Sequence, residues 1–213
     1  MNKPPNLKHL QKSLLRDLAE HLGTRGFRAR FGEQTFVKIE ADFTWVVHVA
    51  FIRHEDDVDA TLDLGLRLGA AQELLEKSGH GDRKGVTIGA ELGNLIDGRP
   101  RRWSMRSELD ASEAAREMFA ELEKFGYAWF ERYSDLEYVR RVLAANDRES
   151  RLVSPLPANR CLTAVALAAL TSEEAEARAV ADQCREYLKS RNDPQLPLFD
   201  RHVSHILAGR PNP

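Results

Sequence analysis

The segment from Val58 to Leu68 constrains this chain more than any other. Val58, Ala60, Leu62, Leu64, Leu66 and Leu68 alternate without a break with Asp59, Thr61, Asp63, Gly65 and Arg67. A period of two sends successive side chains to opposite faces, so the stretch predicts a strand with one apolar face. Such a strand needs partners of the same pattern, and they lie directly upstream. Trp45, Val47, Val49 and Phe51 share one face of Phe43–Arg53, Phe36 follows within Gln34–Glu40, and Phe27, Ala29 and Phe31 alternate with Arg28 and Arg30. Turns are predicted at Gly32-Glu33, at Ala41-Asp42 and over the acidic stretch Glu55 to Val58. With Asp56-Asp57 as the last turn, Glu55 pairs with Val58. Trp45 then faces Leu68, Val47 faces Leu66, Val49 faces Leu64 and Phe51 faces Leu62. The same logic sets Phe36 against Val47 and Ala29 against Phe36. One pair breaks the pattern, Lys38 opposite Trp45. A one-residue slip would set leucines against His and Thr, so the register is well specified.

Helices flank this meander. Leu7, Leu10, Leu14, Leu18 and Leu22 recur at helical spacing and end at Gly23 and Gly26. Gly69 to Lys77 reads as a short helix, Gly79 to Asp82 as a loop, and Val86 to Leu92 and Trp103 to Arg106 as weaker strands. Asp110 with Glu113 predicts a capping box for a helix closed by Gly126, and Ser134 with Glu137 predicts another. Ser150 to Pro157 reads as a linker, and Ala158 to Leu170 as a buried helix. Thr171 with Glu174 opens the next helix, and Pro194 starts the last amphipathic piece. The expected fold class is α+β: an antiparallel β-meander packed against the N-terminal helix and C-terminal helices. The expected division is a sheet domain over 1–148, with a helical extension over 149–213 on the same core.

The order of these elements resembles the domain of unknown function 4304 family, a group of uncharacterised, mainly bacterial proteins. The features that carry the resemblance are the N-terminal helix, Gly26-Phe27 leading into a basic strand, Thr35-Phe36, and the late Tyr127-Ala-Trp-Phe130 followed by Tyr133-Ser-Asp-Leu-Glu137. It spans roughly residues 7 to 190. It implies the fold but no active site, and it points toward an immunity or interaction role.

Charge narrows the function classes. The net charge of −2 gives no general attraction to nucleic acid or anionic membrane. Residues 1–38 nevertheless hold eight Lys/Arg against three acids, while residues 39–66 hold seven acids against Arg53. Internal complementarity between neighbouring elements is the expected meaning. No apolar run approaches the roughly 20 residues that span a bilayer, and no signal peptide is visible, so a cytoplasmic protein is expected. Cys161 and Cys184 sit among Ala, Val and Leu at helical spacing, as small buried thiols do.

The motifs of conventional sites fail on spacing. There is no phosphate-binding glycine loop. Glu55, Asp56, Asp57 and Asp59 lack the ligand spacing and central glycine of a calcium loop. His202 and His205 are three apart on a predicted helix but are flanked by Val203 and Ile206 at core spacing. Arg99-Pro-Arg-Arg-Trp103 with Arg106 mixes basic and aromatic residues, which can bind phosphates, but arginines beside a turn are more often paired with acids. Neither a cofactor nor a metal is expected.

What remains is the outward face of the meander. By register it carries Arg28, Arg30, Thr35, Val37, Ile39, Thr44, Val46, His48, Ala50, Ile52, His54, Asp59, Thr61, Asp63 and Arg67, with His54 opposite Asp59 and His48 about one pleat from Asp63. A solvated face would hold fewer Val and Ile, and a covered one fewer charges. The candidate binding residues are therefore Arg28, Arg30, His48, His54, Asp59, Thr61, Asp63 and Arg67. The expected function is non-enzymatic binding or interaction, with another protein as partner and a small molecule as the alternative. Membrane and nucleic acid are not expected partners. The competing reading is a small hydrolase or metal-assisted enzyme centred on His48, His54, Asp59 and Asp63, with Thr61 as the one hydroxyl at hand.

Overall fold

The alternating segment becomes β4 (Val58–Leu68), the strand on which the sheet converges in the computed structural model, which describes residues 7–81 and 85–209. The partners are β1 (Arg28–Arg30), β2 (Thr35–Glu40), β3 (Phe43–Arg53), β5 (Ile88–Glu91) and β6 (Trp103–Met105). The order is β1-β2-β3-β4-β5, and β6 also pairs with β4, at Val58 to Ala60. The fold is α+β with an antiparallel sheet. No helix among the described residues is long and apolar enough to cross a membrane.

Register follows the sequence over most of the meander. Ala29 pairs with Phe36, Phe36 with Val47, and Lys38 with Trp45. The Lys38 pairing is no mismatch, because its Nζ lies 4.8 Å from the centroid of the Trp45 ring. The β3–β4 tip differs from expectation. The His54 N–H donates to the Asp57 carbonyl at 3.0 Å, so the chain reverses over Glu55-Asp56 rather than Asp56-Asp57. That shift moves each β3 residue two places along β4, an even number, and so leaves the faces unchanged.

The chain divides into two compact units, Met1–Gly65 with Ala90–Phe130, and Leu66–Gly89 with Glu131–Pro213. The division runs through β4 and β5 rather than between 148 and 149.

In the first unit α1 (Leu7–Gly23) lays Leu10, Leu14, Leu18 and Leu22 against α4 (Glu108–Glu121), which offers Ala111, Ala114, Ala115 and Met118. Small residues on α4 let the two helices approach closely. Trp45 stacks on Phe130 at 4.8 Å and 5°, Tyr127 stands edge-on to Trp45, and Phe27 stands edge-on to Tyr127 and tilted against Phe130. The cap of α4 is Ser107, whose backbone is extended and whose side chain exchanges bonds with Asp110, so Asp110 is the third helical residue and not the cap. Gly126 does not end this helix. A π-helical turn over Leu122–Gly126 carries it into α5 (Tyr127–Tyr133). A methyl at Gly126 would collide with the Leu122 side chain and lie 3.3 Å from Leu64 Cδ1, so close approach rather than termination explains the glycine. The short α3 (Leu92–Ile96) is tied down by Glu91, whose Oε1 accepts from the Gly93 and Arg101 N–H groups at 3.0 Å each.

In the second unit α2 (Gly69–Lys77), α6 (Leu136–Ala145), α7 (Arg148–Val153), α9 (Glu174–Ser190) and α10 (Leu196–Ala208) surround α8 (Pro157–Thr171) or adjoin it through one another. The expected linker is thus partly helix, because Asp147 caps α7 by accepting the Ser150 N–H. The α6 cap is Asp135 rather than Ser134, and α9 starts after Glu173 rather than at Thr171, whose hydroxyl donates back to Leu167 inside α8. Cys161 and Cys184 are both buried free thiols. Arg160 is 0 % exposed, and its three bonds go to neutral oxygens: Asn146 Oδ1 at 2.9 Å, the Ser154 carbonyl at 2.6 Å and the Tyr187 hydroxyl at 3.0 Å.

Two substitutions test this packing. A methyl at Gly93 would sit 2.5 Å from both the Arg101 nitrogen and the Arg99 carbonyl oxygen. Gly93→Ala is expected to lower stability by about 1–3 kcal/mol, read from the urea midpoint, despite the better helix propensity of alanine. Arg160→Ala takes the donor from the buried Asn146 Oδ1 and from two half-buried oxygens and leaves a void, and is expected to cost about 2–5 kcal/mol in the same measurement.

Candidate functional site

Two histidine–carboxylate pairs form on the outward face. His48 Nδ1 lies 3.2 Å from Asp63 Oδ2, and His54 Nε2 lies 3.2 Å from Asp59 Oδ2. The tip register explains both. With His54 level with Asp57, His48 comes level with Asp63, while Asp59 lies diagonally from His54, within reach of a long side chain. Around His48, Asp63 and Thr61 the face is half-exposed. Ile39 stands out from it 79 % exposed and Ile52 37 % exposed. Thr35 pairs with His48, and its buried Oγ1 has no hydrogen-bond partner among the described residues.

The richer cluster is at the hairpin tip, where β6 and its flanking residues add Ser104, Arg102 and Arg106. Ser104 is the register partner of Asp59, and its Oγ donates to Asp59 Oδ1 at 2.5 Å. Arg102 lies 3.7 Å from Asp59 Oδ2, and Arg106 bonds Asp57 Oδ2 at 3.2 Å. Trp103 and Met105 are buried, so alternation turns Ser104 to the same face as Asp59. A cleft of about 390 Å³ opens here, lined by His54, Glu55, Asp56, Asp57, Asp59, Ser104 and Arg106. The Ser104 hydrogen bond lowers the Asp59 pKa, with smaller contributions from His54 and Arg102 outweighing burial, which opposes them.

The chemistry of the trio is specific. The carboxylate occupies the middle position, accepting from the serine and facing the imidazole. In a nucleophilic triad the imidazole is central and takes the hydroxyl proton. Here that proton points at Asp59, so Ser104 holds the carboxylate rather than attacking a substrate. Thr61 sits on the same face between the two pairs.

The remaining expected residues are dispersed. Arg28 and Arg30 are exposed on the edge strand β1, Arg30 lying 3.5 Å from Glu33. Arg67 falls in the second unit, where its Nε donates to the Gly85 carbonyl. The arginine-rich stretch is spent on acids: Arg101 pairs with Glu121 at 2.9 Å, and Arg102 and Arg106 meet Asp59 and Asp57. Complementarity is therefore internal, but the acidic hairpin is balanced by β6 and its flanks rather than by the basic N-terminal segment. His202 is buried with its Nδ1 2.7 Å from the Ser78 carbonyl oxygen, whereas His205 is exposed, so the two do not converge.

Comparison with known proteins returns no matching family model, no matching curated protein and no matching solved structure.

The linkage of Asp59 to folding has a definite sign. Its folded pKa is depressed, so its contribution is fully present above the unfolded carboxylate value of about 3.9 and is lost as pH falls through the folded value. Asp59→Asn is expected to flatten the dependence of stability on pH below about 4, measured as urea midpoints at stepped pH. An unchanged acid slope would disprove that coupling.

Proposed function

We propose that this chain is a non-enzymatic binding protein, immunity-like in kind, that docks a partner protein on the outward face of its meander. The observation that carries the reading is the composition of that face. Exposed isoleucines stand among polar groups oriented by the His48–Asp63 and His54–Asp59 contacts. Apolar anchors among oriented polar groups on a rigid sheet suit recognition, because little ordering remains to be done on binding. The resemblance to the domain of unknown function 4304 family, some of whose related domains are thought to act as immunity or interaction proteins, supports the same reading.

A metal-assisted hydrolase centred on His48, His54, Asp59 and Asp63 is the second reading. It draws its support from the tip alone, where His54, Asp57 and Asp59 bring their ligand atoms together. Against it stand the central carboxylate and the committed Ser104 proton.

Differential capture separates them. Wild-type chain is offered to a bacterial lysate, and any protein it retains is purified and titrated directly against wild type and an Ile52→Asp/His48→Glu variant. Binding weakened tenfold or more by the double change is the expected result, equal to about 1.4 kcal/mol. Unchanged affinity would remove the face from the argument, and zinc-dependent turnover of p-nitrophenyl esters or phosphates that is lost in His54→Ala would favour the hydrolase.

A further inference from the structure

We propose that the β3–β4 tip is a divalent transition-metal site, with His54 Nε2, one Asp57 oxygen and one Asp59 oxygen as its protein ligands. The inference goes beyond the docking reading, since ion binding is measured without a partner and either can fail alone.

Three donor atoms from these side chains lie within 4.8 Å of one another. The closest pair, His54 Nε2 and Asp59 Oδ2, is separated by 3.2 Å. A tetrahedral ion with ligand bonds of about 2.0–2.1 Å requires neighbouring donors about 3.3 Å apart. Two donors therefore already stand at the edge length of the coordination polyhedron, and an Asp57 oxygen lies within 4.8 Å of both. Asp57 and His54 are carried by one turn, closed by the His54 N–H to Asp57 carbonyl bond, which holds their backbones side by side.

The Asp59 carboxylate is divided between two tasks. Ser104 occupies Oδ1, which leaves Oδ2 facing His54. A hydrogen bond that fixes one oxygen and presents the other is the usual support for a ligating carboxylate. Three protein donors leave a fourth position to water, and the cleft of about 390 Å³ gives the room. Positive charge already gathers at the same oxygens. Arg102 and Arg106 lie 3.7 and 3.2 Å from Asp59 and Asp57. Their side chains are 53 % and 75 % exposed, so both can swing into water when an ion takes their place. Imidazole with two carboxylates suits Zn²⁺ or Mn²⁺ better than Ca²⁺ or Mg²⁺, which prefer all-oxygen shells.

Calorimetric titration of the full chain with zinc chloride, and separately with manganese chloride, at pH 7.5 tests the proposal. One ion per chain is expected, and Co²⁺ should give the visible absorption of a four-coordinate site. His54→Ala should weaken binding by at least tenfold. Ser104→Ala, which removes no ligand, should weaken it by about 10–100-fold through loss of support. Arg106→Ala should strengthen it, because a competing cation is gone. Circular dichroism on each variant guards against reading lost folding as lost binding. Zinc binding that survives His54→Ala unchanged, binding weakened by Arg106→Ala, or no ion bound at millimolar concentration would each overturn the site.

Discussion

Everything at the candidate site depends on β4 being shared. It pairs with β3 along one edge and with β6 at the start of the other, so Asp59 is flanked by His54 on one side and Ser104 on the other. A strand with only one neighbour could not have held a carboxylate between an imidazole and a hydroxyl. The alternation that buries Val58 and Ala60 is the same alternation that sends Asp59 outward, so core and site are set by one periodicity. Changing one without the other is structurally difficult here.

The electrostatics follow from that placement. Asp59 is largely buried yet stays ionised, because Ser104, His54 and Arg102 together outweigh the cost of removing it from water. The acidic tip is thereby a mixture of satisfied and reachable charge. Asp57 and Asp59 are engaged by arginines, while Glu55 and Asp56 remain exposed. Elsewhere Arg160 illustrates the opposite solution, a cation removed from water and satisfied by neutral oxygens from three places in the second unit.

Much of the sheet was legible because register is a collective property. Phe36–Val47, Ala29–Phe36 and even the odd Lys38–Trp45 pair were set by many apolar positions at once, and each holds. The tip was less legible, since a turn of acids carries no apolar pattern to place the reversal, and a backbone bond from His54 decides it. Helix starts were misread for a similar reason. Ser107 and Asp110, or Ser134 and Asp135, offer the same oxygens within a few residues, and only backbone conformation selects the cap. Of the site, the histidines and aspartates of β3 and β4 were visible in sequence. Ser104, Arg102 and Arg106 were not, because the pairing of β6 with β4 joins segments some forty-five residues apart with no repeated pattern between them.

The two-residue turn at the β3–β4 tip bears on which length changes this hairpin tolerates. Two residues inserted at its middle let the reversal re-centre, so His54 stays level with Asp57 and every leucine of β4 stays on the apolar side. A single inserted residue has no such symmetric solution, and a register moved by one place turns the strand over and exposes its hydrophobic row. The parity of the turn length therefore sorts the changes that core and site survive together from those that damage both.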